Sequence, residues 1–179
     1  MGYIQKFKER FPDKLTPEMI EAFHGSEKKI NEFTFKDMKE HEKNPSGILF
    51  LSDENVARKK NAYVTKVMLK MGRLVSNRGP ARRDDVVYML TNSPNKDEIL
   101  KNFDDDPREA FFKAVDHVMG AGNANSCYSV IAQEFYKGSP QTFAKKMVDI
   151  RYDAMPLIHG EKIYSYIVFN PKCIQIVKQ

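Results

Sequence analysis

Residues 23–26 read Phe-His-Gly-Ser, a histidine at the end of an apolar stretch followed by two small residues. An imidazole can donate or accept a hydrogen bond, and a serine hydroxyl can do both. Glycine has no Cβ, so a ligand can approach its backbone closely. His24, Gly25 and Ser26 are therefore candidates for a nucleotide cradle. The competing reading is a packed or surface histidine with scaffold behind it. Residues 47–63, "GILFLSDENVARKKNAY", then run from a short apolar stretch into a segment that carries Tyr63. That ring either stacks on a ligand or fills the core. Cys127 and His117 could form a thiol–imidazole pair, but their apolar neighbours predict inert packing.

Several chemistries lack their motifs. No G-x-x-x-x-G-K-[ST] or G-x-G-x-x-G phosphate loop occurs. No H-E-x-x-H occurs, because His41-Glu42 has no second histidine at the required spacing, and no G-x-S-x-G nucleophile elbow occurs. The two cysteines, Cys127 and Cys173, lie far apart without metal-ligand spacing. They argue for a reducing compartment and against a disulfide framework or a metal site.

The 179 residues suit one domain, with 41% hydrophobic and 30% charged residues. Twelve Phe and eight Tyr supply core mass without Trp. A net charge of +5 is mild. It favours acidic partners without demanding nucleic acid. The start, "MGYIQKFKER", has no apolar h-region, and no apolar run is long enough to span a membrane. These features predict a cytoplasmic protein without a membrane partner.

The elements that must hold these residues follow from pattern. A short helix is expected before Pro12, and "TPEMIEAF" begins as a helix that can become extended by His24. "SEKKINEFTF" predicts one helical turn with Ile30, Phe33 and Phe35 inward, and "HEKNPSG" a loop. "ILFLS" predicts a buried strand. "DENVARKKNAYVTKVMLKMG" predicts a helix capped by Ser52 or Asp53 and ended by Gly72. "RLVSNRGPARRDD" predicts an exposed basic loop with a short strand at its start, and "VVYML" a buried strand. Helices are then expected from Asp106-Pro107 to Gly120, through "NSCYSVIAQEFYKG", and from Ser139-Pro140 onward. The chain closes with "YDAMPLI", a turn at "HGEK", the strand "IYSYIVF", a turn at "NPK" and the strand "CIQIV". The class is α+β: strand-poor at the start, helical in the middle, stranded at the end.

Taken together, "FHGS", "GILFLSDENVARKKNAY" and "YDAMPLIHGEKIYSYIVFNPKCIQIV" resemble the ADP-ribosyltransferase family. The likeness is to its diphtheria-toxin/poly(ADP-ribose) polymerase branch and the small phage and bacterial members related to it. That branch carries His-Gly-Ser/Thr on its first core strand. A G-I-x-F strand then feeds a helix that supplies an aromatic. The end reads Y-I-V-F-x-P followed by I-x-I-V. All three blocks occur here in the family's order, and residues 73–150 have no counterpart.

The resemblance implies a single ADP-ribosyltransferase-like domain over residues 1–179, with split mixed sheets and several packed helices. Residues 73–150 are then a helical insertion or a middle without a counterpart in the family. It implies NAD as substrate, no metal, and mono-ADP-ribosyl transfer to a macromolecular acceptor, most simply a protein. His24 becomes the ribose-binding histidine, and Gly25 and Ser26 grip the nicotinamide side. Tyr63 stacks on the ring, against the reading of a core tyrosine; the family's aromatic lies nearer the strand, where this chain has Lys60. Phe50 and Ser52 complete the NAD-contacting set, against core and helix-cap readings. The chemistry fits these residue types. Nicotinamide departs through an oxocarbenium-like state, a cationic ring favours an aromatic face, and a carboxylate stabilises the developing charge.

In the polymerase form a glutamate precedes Y-I-V-F; here that position is Ser165. Poly(ADP-ribose) elongation is therefore not expected. Glu161, at the mouth of the same strand, is the first candidate acid and Asp153 the second. Cys173 stands where relatives often have Gln. Two other functions remain open: a decayed transferase fold acting as a binding or inhibitor module, and a basic nucleic-acid-associated protein marked only by "NRGPARR".

Overall fold

Extended backbone, not helix, makes up the amino-terminal part of the fold. The computed structural model describes residues 19–59, 61–76, 79–159 and 162–177. The helix expected before Pro12 and the start at Thr16-Pro17 lie outside them. β1 (Met19–Ser26), β2 (Lys39–His41), β3 (Asn44–Leu51) and β4 (Tyr63–Lys70) follow, so the start is strand-rich and the strand-poor expectation is corrected. "HEKNPSG" is a hairpin rather than a loop, turning at Glu42–Lys43 between β2 and β3. Residues 27–34 are irregular, and only Phe35–Asp37 form a 3₁₀ turn; Phe33 is buried while Ile30 and Phe35 pack at the margin.

The long helix expected from Asp53 to Gly72 is also corrected. Only α1 (Glu54–Arg58) is helical, with Asp53 accepting from Asn55 N as its cap. Val64, Thr65 and Val67 are β-branched and suit a pleated surface. Val67 and Leu69 alternate into the core, and the apparent helical stripe through Val56, Tyr63 and Val67 was a coincidence of spacing.

The middle is helical: α2 (Arg83–Thr91), α3 (Lys96–Leu100), α4 (Pro107–Gly120), α5 (Ala124–Val130) and α6 (Pro140–Asp149). "VVYML", expected as a strand, lies inside α2. Val86, Met89 and Leu90 are its buried residues, the i, i+3, i+4 face of a helix. α4 has the expected grammar, with Asp106 accepting from Arg108 N and Glu109 N ahead of Pro107. α5 runs into a π turn, Ile131–Phe135, and Gly138 at φ 76° ends the segment in the left-handed region. The end is as expected: β5 (Ala154–His159), β6 (Lys162–Val168), a 3₁₀ turn at Pro171–Cys173, and β7 (Ile174–Ile176).

The named strands pair antiparallel in the order β5-β6-β3-β1-β4-β7, with β2 on β3. The expectation of mixed sheets is corrected: among the described residues the parallel pairing is one isolated bridge, Leu74 with Ala154. The sheet is unevenly knitted. β1 meets β4 over eight pairs, but meets β3 at one, Phe23 with Leu51. A single core joins this sheet to the helices, with Phe50, Leu69, Met89, Tyr128, Phe143 and Phe169 fully buried. No helix among the described residues is long and apolar enough to cross a membrane.

Candidate functional site

The three sequence blocks occupy adjacent strands. β1 ends in His24-Gly25-Ser26, β3 carries "GILFL", and β6 carries "YSYIV" beyond β3. Across the junction row, Leu157, Ser165, Leu51 and Phe23 stand opposite one another in turn. Beyond that row β1 stays paired with β4 and leaves β3. His24 sits at the point of divergence.

His24 is half-buried, and its Nδ1 lies 2.8 Å from the carbonyl oxygen of Leu49 on β3. A carbonyl can only accept, so Nδ1 carries the proton and donates. The neutral ring then presents Nε2 as an acceptor. Phe33 meets the imidazole edge-on at 5.3 Å and Phe50 tilts against it at 5.4 Å. Burial among these rings pulls the imidazole pKa below its ordinary value, the Leu49 bond partly opposing. The side chain is thus held neutral, fixed in tautomer and able to accept from a hydroxyl.

Gly25 has a packing reason of its own. A Cβ there would collide with Asn61 Nδ2 and fall 2.8 Å from Ala57 O. Asn61 Nδ2 donates to Ala57 O at 2.8 Å, so the end of α1 closes against β1 where only glycine fits. The sequence reading did not single out Asn61. Ser26 Oγ donates to Lys28 O and shapes the turn that leaves β1.

Tyr63 opens β4 directly across from Ser26, with Thr65 across from His24, and cross-strand partners share a face. The ring is 49% exposed, which excludes the core-tyrosine reading. It lines a groove of about 790 Å³ beside Lys29, Thr65 and Lys66. Lys60 lies outside the described residues. Phe50, by contrast, is fully buried and supports the His24 ring from within the core, so direct ligand contact by Phe50 is corrected. Ser52 Oγ donates to Tyr164 O at 3.0 Å and leaves capping to Asp53.

The acid candidates separate. Asp153 Oδ2 accepts from Gly72 N at 2.7 Å and Arg73 N at 3.2 Å, and Oδ1 accepts from Asn170 Nδ2 at 2.8 Å. Its own backbone bonds Arg73, Phe169 and Asn170. Asp153 therefore ties the end of β4 to the end of β6. Glu161 lies outside the described residues. Ser165 is 1% exposed, and among the described residues its Oγ has no hydrogen-bond partner. Burial and the neighbouring Asp153 carboxylate push the Cys173 thiol up to about 12, and burial raises Cys127 as well. Both are buried, free thiols, inert at neutral pH. His117 bonds Glu134 instead of a thiol. Among the described residues no cluster of His, Cys, Asp and Glu could hold a metal.

No family model matches the chain, and no curated protein matches it. Among solved structures, one described as the crystal structure of an anti-CRISPR protein aligns over 92% of this chain and 99% of its own. It is 12% identical with a TM-score of 0.39, a likeness that carries no argument about fold or function.

Proposed function

We propose that the chain is an NAD-dependent mono-ADP-ribosyltransferase acting on a macromolecular acceptor. The observation that carries this reading is the position of His24 at the one-pair junction of β1 and β3, with the three resembling blocks on neighbouring strands. Nε2 of the neutral ring accepts from a ribose hydroxyl and fixes the sugar's pose. Tyr63, exposed across from Ser26, offers a face to the cationic nicotinamide. The acid falls to Glu161, because the Asp153 carboxylate is committed to Gly72, Arg73 and Asn170. A carboxylate acting on charge that develops only in the transition state raises turnover more than binding.

A second reading keeps the fold as a binding module. Ser165, buried and uncharged in the polymerase acid position, favours it. The nucleic-acid reading has less support. Of the arginines in and beside "NRGPARR", Arg73 lies over the Tyr152 ring and Arg83 pairs with Asp116.

The test is incubation with NAD labelled in its adenylate portion and cell lysate, read as label on protein bands. Glu161→Gln is expected to cut transfer by roughly a hundredfold, the scale of removing one preorganised electrostatic group, while Asp153→Asn loses stability and keeps activity per folded molecule. No labelling with any lysate, alongside intact NAD binding, selects the binding module.

A further inference from the structure

The β2–β3 hairpin faces the helical layer across a second cavity, of about 250 Å³. The register of the hairpin decides which side chains it puts there. Lys39 stands opposite Gly47 but His41 stands opposite Asn44, so the pairing slips by one residue between them. A bulge of this kind re-aims side chains. Cross-strand partners share a face, and so do alternate residues along a strand. Asn44 and Ser46 lie on the face of Ile48 and Phe50, which are buried in the core with the helices. Lys39 lies on the other face with Gly47, so Glu40 and His41 both fall on the helix side. Both line the cavity, with Glu42 of the turn beside them. The opposite wall is the π turn Ile131–Phe135 and its exit, through Ala132, Gln133 and Lys137.

The two walls are tied together. Glu40 Oε1 accepts from Gly138 N, which joins the hairpin to the end of the helical wall. Ser93 and Asn95 hold that wall, donating to Phe135 O and Lys137 O. His41 Nε2 lies 3.0 Å from Gly47 O. A carbonyl only accepts, so Nε2 carries the proton and Nδ1 is left as an acceptor. Burial lowers the His41 pKa, which keeps the ring neutral. Ser46, on the cavity face of β3, is 1% exposed, and among the described residues its hydroxyl has no hydrogen-bond partner. A buried hydroxyl left unpaired is costly, so a partner entering from the cavity is favoured.

The polar groups divide by wall. The hairpin offers acceptors: the second oxygen of Glu40, Nδ1 of His41 and the carboxylate of Glu42. The helical wall offers the Lys137 ammonium and the Gln133 amide. Glu42 and Lys137 are exposed and form no ion pair among the described residues, so each charge stands free on its own wall. An ammonium has three donors and no acceptor, whereas a carboxylate has acceptors only. A molecule carrying both matches the two walls at once; an amine or an acid alone leaves one wall unmatched. The volume is below that of drug-sized pockets, roughly 300–1,000 Å³, and suits a smaller molecule.

We propose that this cavity binds a free α-amino acid, its ammonium toward Glu42 and His41 and its carboxylate toward Lys137. His24 is not among the lining residues, and binding here needs no NAD.

The test is isothermal titration of the full chain with each of the common L-amino acids in turn, without NAD. At least one is expected to bind. Its N-acetyl and its decarboxylated derivatives should each bind at least about tenfold more weakly, the scale of losing a hydrogen bond to a charged group. Glu42→Gln and Lys137→Met, on exposed side chains, should each weaken the amino acid about tenfold and leave urea unfolding unchanged. Ser46→Ala should weaken it by less. No binding of any amino acid overturns the proposal, as does equal binding by the wild type and Lys137→Met. Equal affinity for the decarboxylated amine also overturns it, because the cavity is then a cation site. NAD binding, measured separately, judges the transferase reading alone.

Discussion

Two polar side chains join the halves of this sheet, and they do it in different ways. At one crossing, Asp153 spends both carboxylate oxygens on Gly72, Arg73 and Asn170, while its backbone bonds three further groups. At the other, His24 spends one nitrogen on Leu49 O, and among the described residues the second has no hydrogen-bond partner. The first crossing is closed within the chain. The second lies at a junction where β1 meets β3 at one pair. A polar group whose bonding capacity is used up internally is structure, whereas a fixed group with one atom in hand can meet a ligand. Charge alone would have favoured Asp153 as the functional residue; the accounting of its bonds reverses that.

The largest way to break the comparison is to remove the ring beneath His24. Phe50→Ala should destabilise by about 3–5 kcal/mol, the usual cost of emptying a fully buried aromatic site, read by urea unfolding. The NAD-induced stabilisation should fall with it, since the imidazole loses its support. An unchanged NAD response would mean that the ring does not position His24.

Asp153→Ala comes next. It leaves two backbone N–H groups and the Asn170 amide without their acceptor, at roughly 2–4 kcal/mol. NAD affinity per folded molecule should not move. Intact stability with lost NAD turnover would instead make Asp153 the acid.

Gly25→Ala should cost about 1–3 kcal/mol by overpacking against Asn61 and Ala57. Asn61→Ala in the same chain should recover part of it, because one clashing group is then gone. Absence of any recovery in thermal melts would locate the strain elsewhere.

A smaller effect sharpens the comparison through pH. Burial lowers the folded-state pKa of both His24 and His41. Below the ordinary imidazole value of about 6.5 the unfolded chain therefore binds more protons than the folded one, so stability rises with pH across that window. It is fully present above about 6.5 and declines as pH falls toward the depressed values. His41→Gln should flatten part of the slope in chemical denaturation, and the remainder belongs to His24. A slope of the opposite sign would contradict the burial argument.

Much of the scaffold was legible from local grammar. Asp106-Pro107 and Ser139-Pro140 announced their helices, and the terminal strands followed from apolar runs between turn residues. The errors share a cause. Val86, Met89 and Leu90, and equally Val64, Thr65 and Val67, form short apolar runs whose period is ambiguous until a partner surface is known. Tertiary pairing with β1 decided the second run. At the site, His24 and Tyr63 were visible because rings backed by small or polar residues stand out. Asn61 was not, since its significance arises only from the close approach of β1 beside it. The saturation of Asp153 was equally invisible, because its partners lie far away in sequence.

The central claim is that His24 Nε2 holds a ribose hydroxyl. Its most direct test is NAD-dependent thermal stabilisation of the wild type and of His24→Ala across pH. With NAD at about a hundred times its dissociation constant the wild type should gain about 2.7 kcal/mol at neutral pH. The gain should shrink as His24 takes up a proton, and His24→Ala should lose most of it at every pH. Equal gains in the two proteins, or no gain in the wild type at any NAD concentration, would contradict the account.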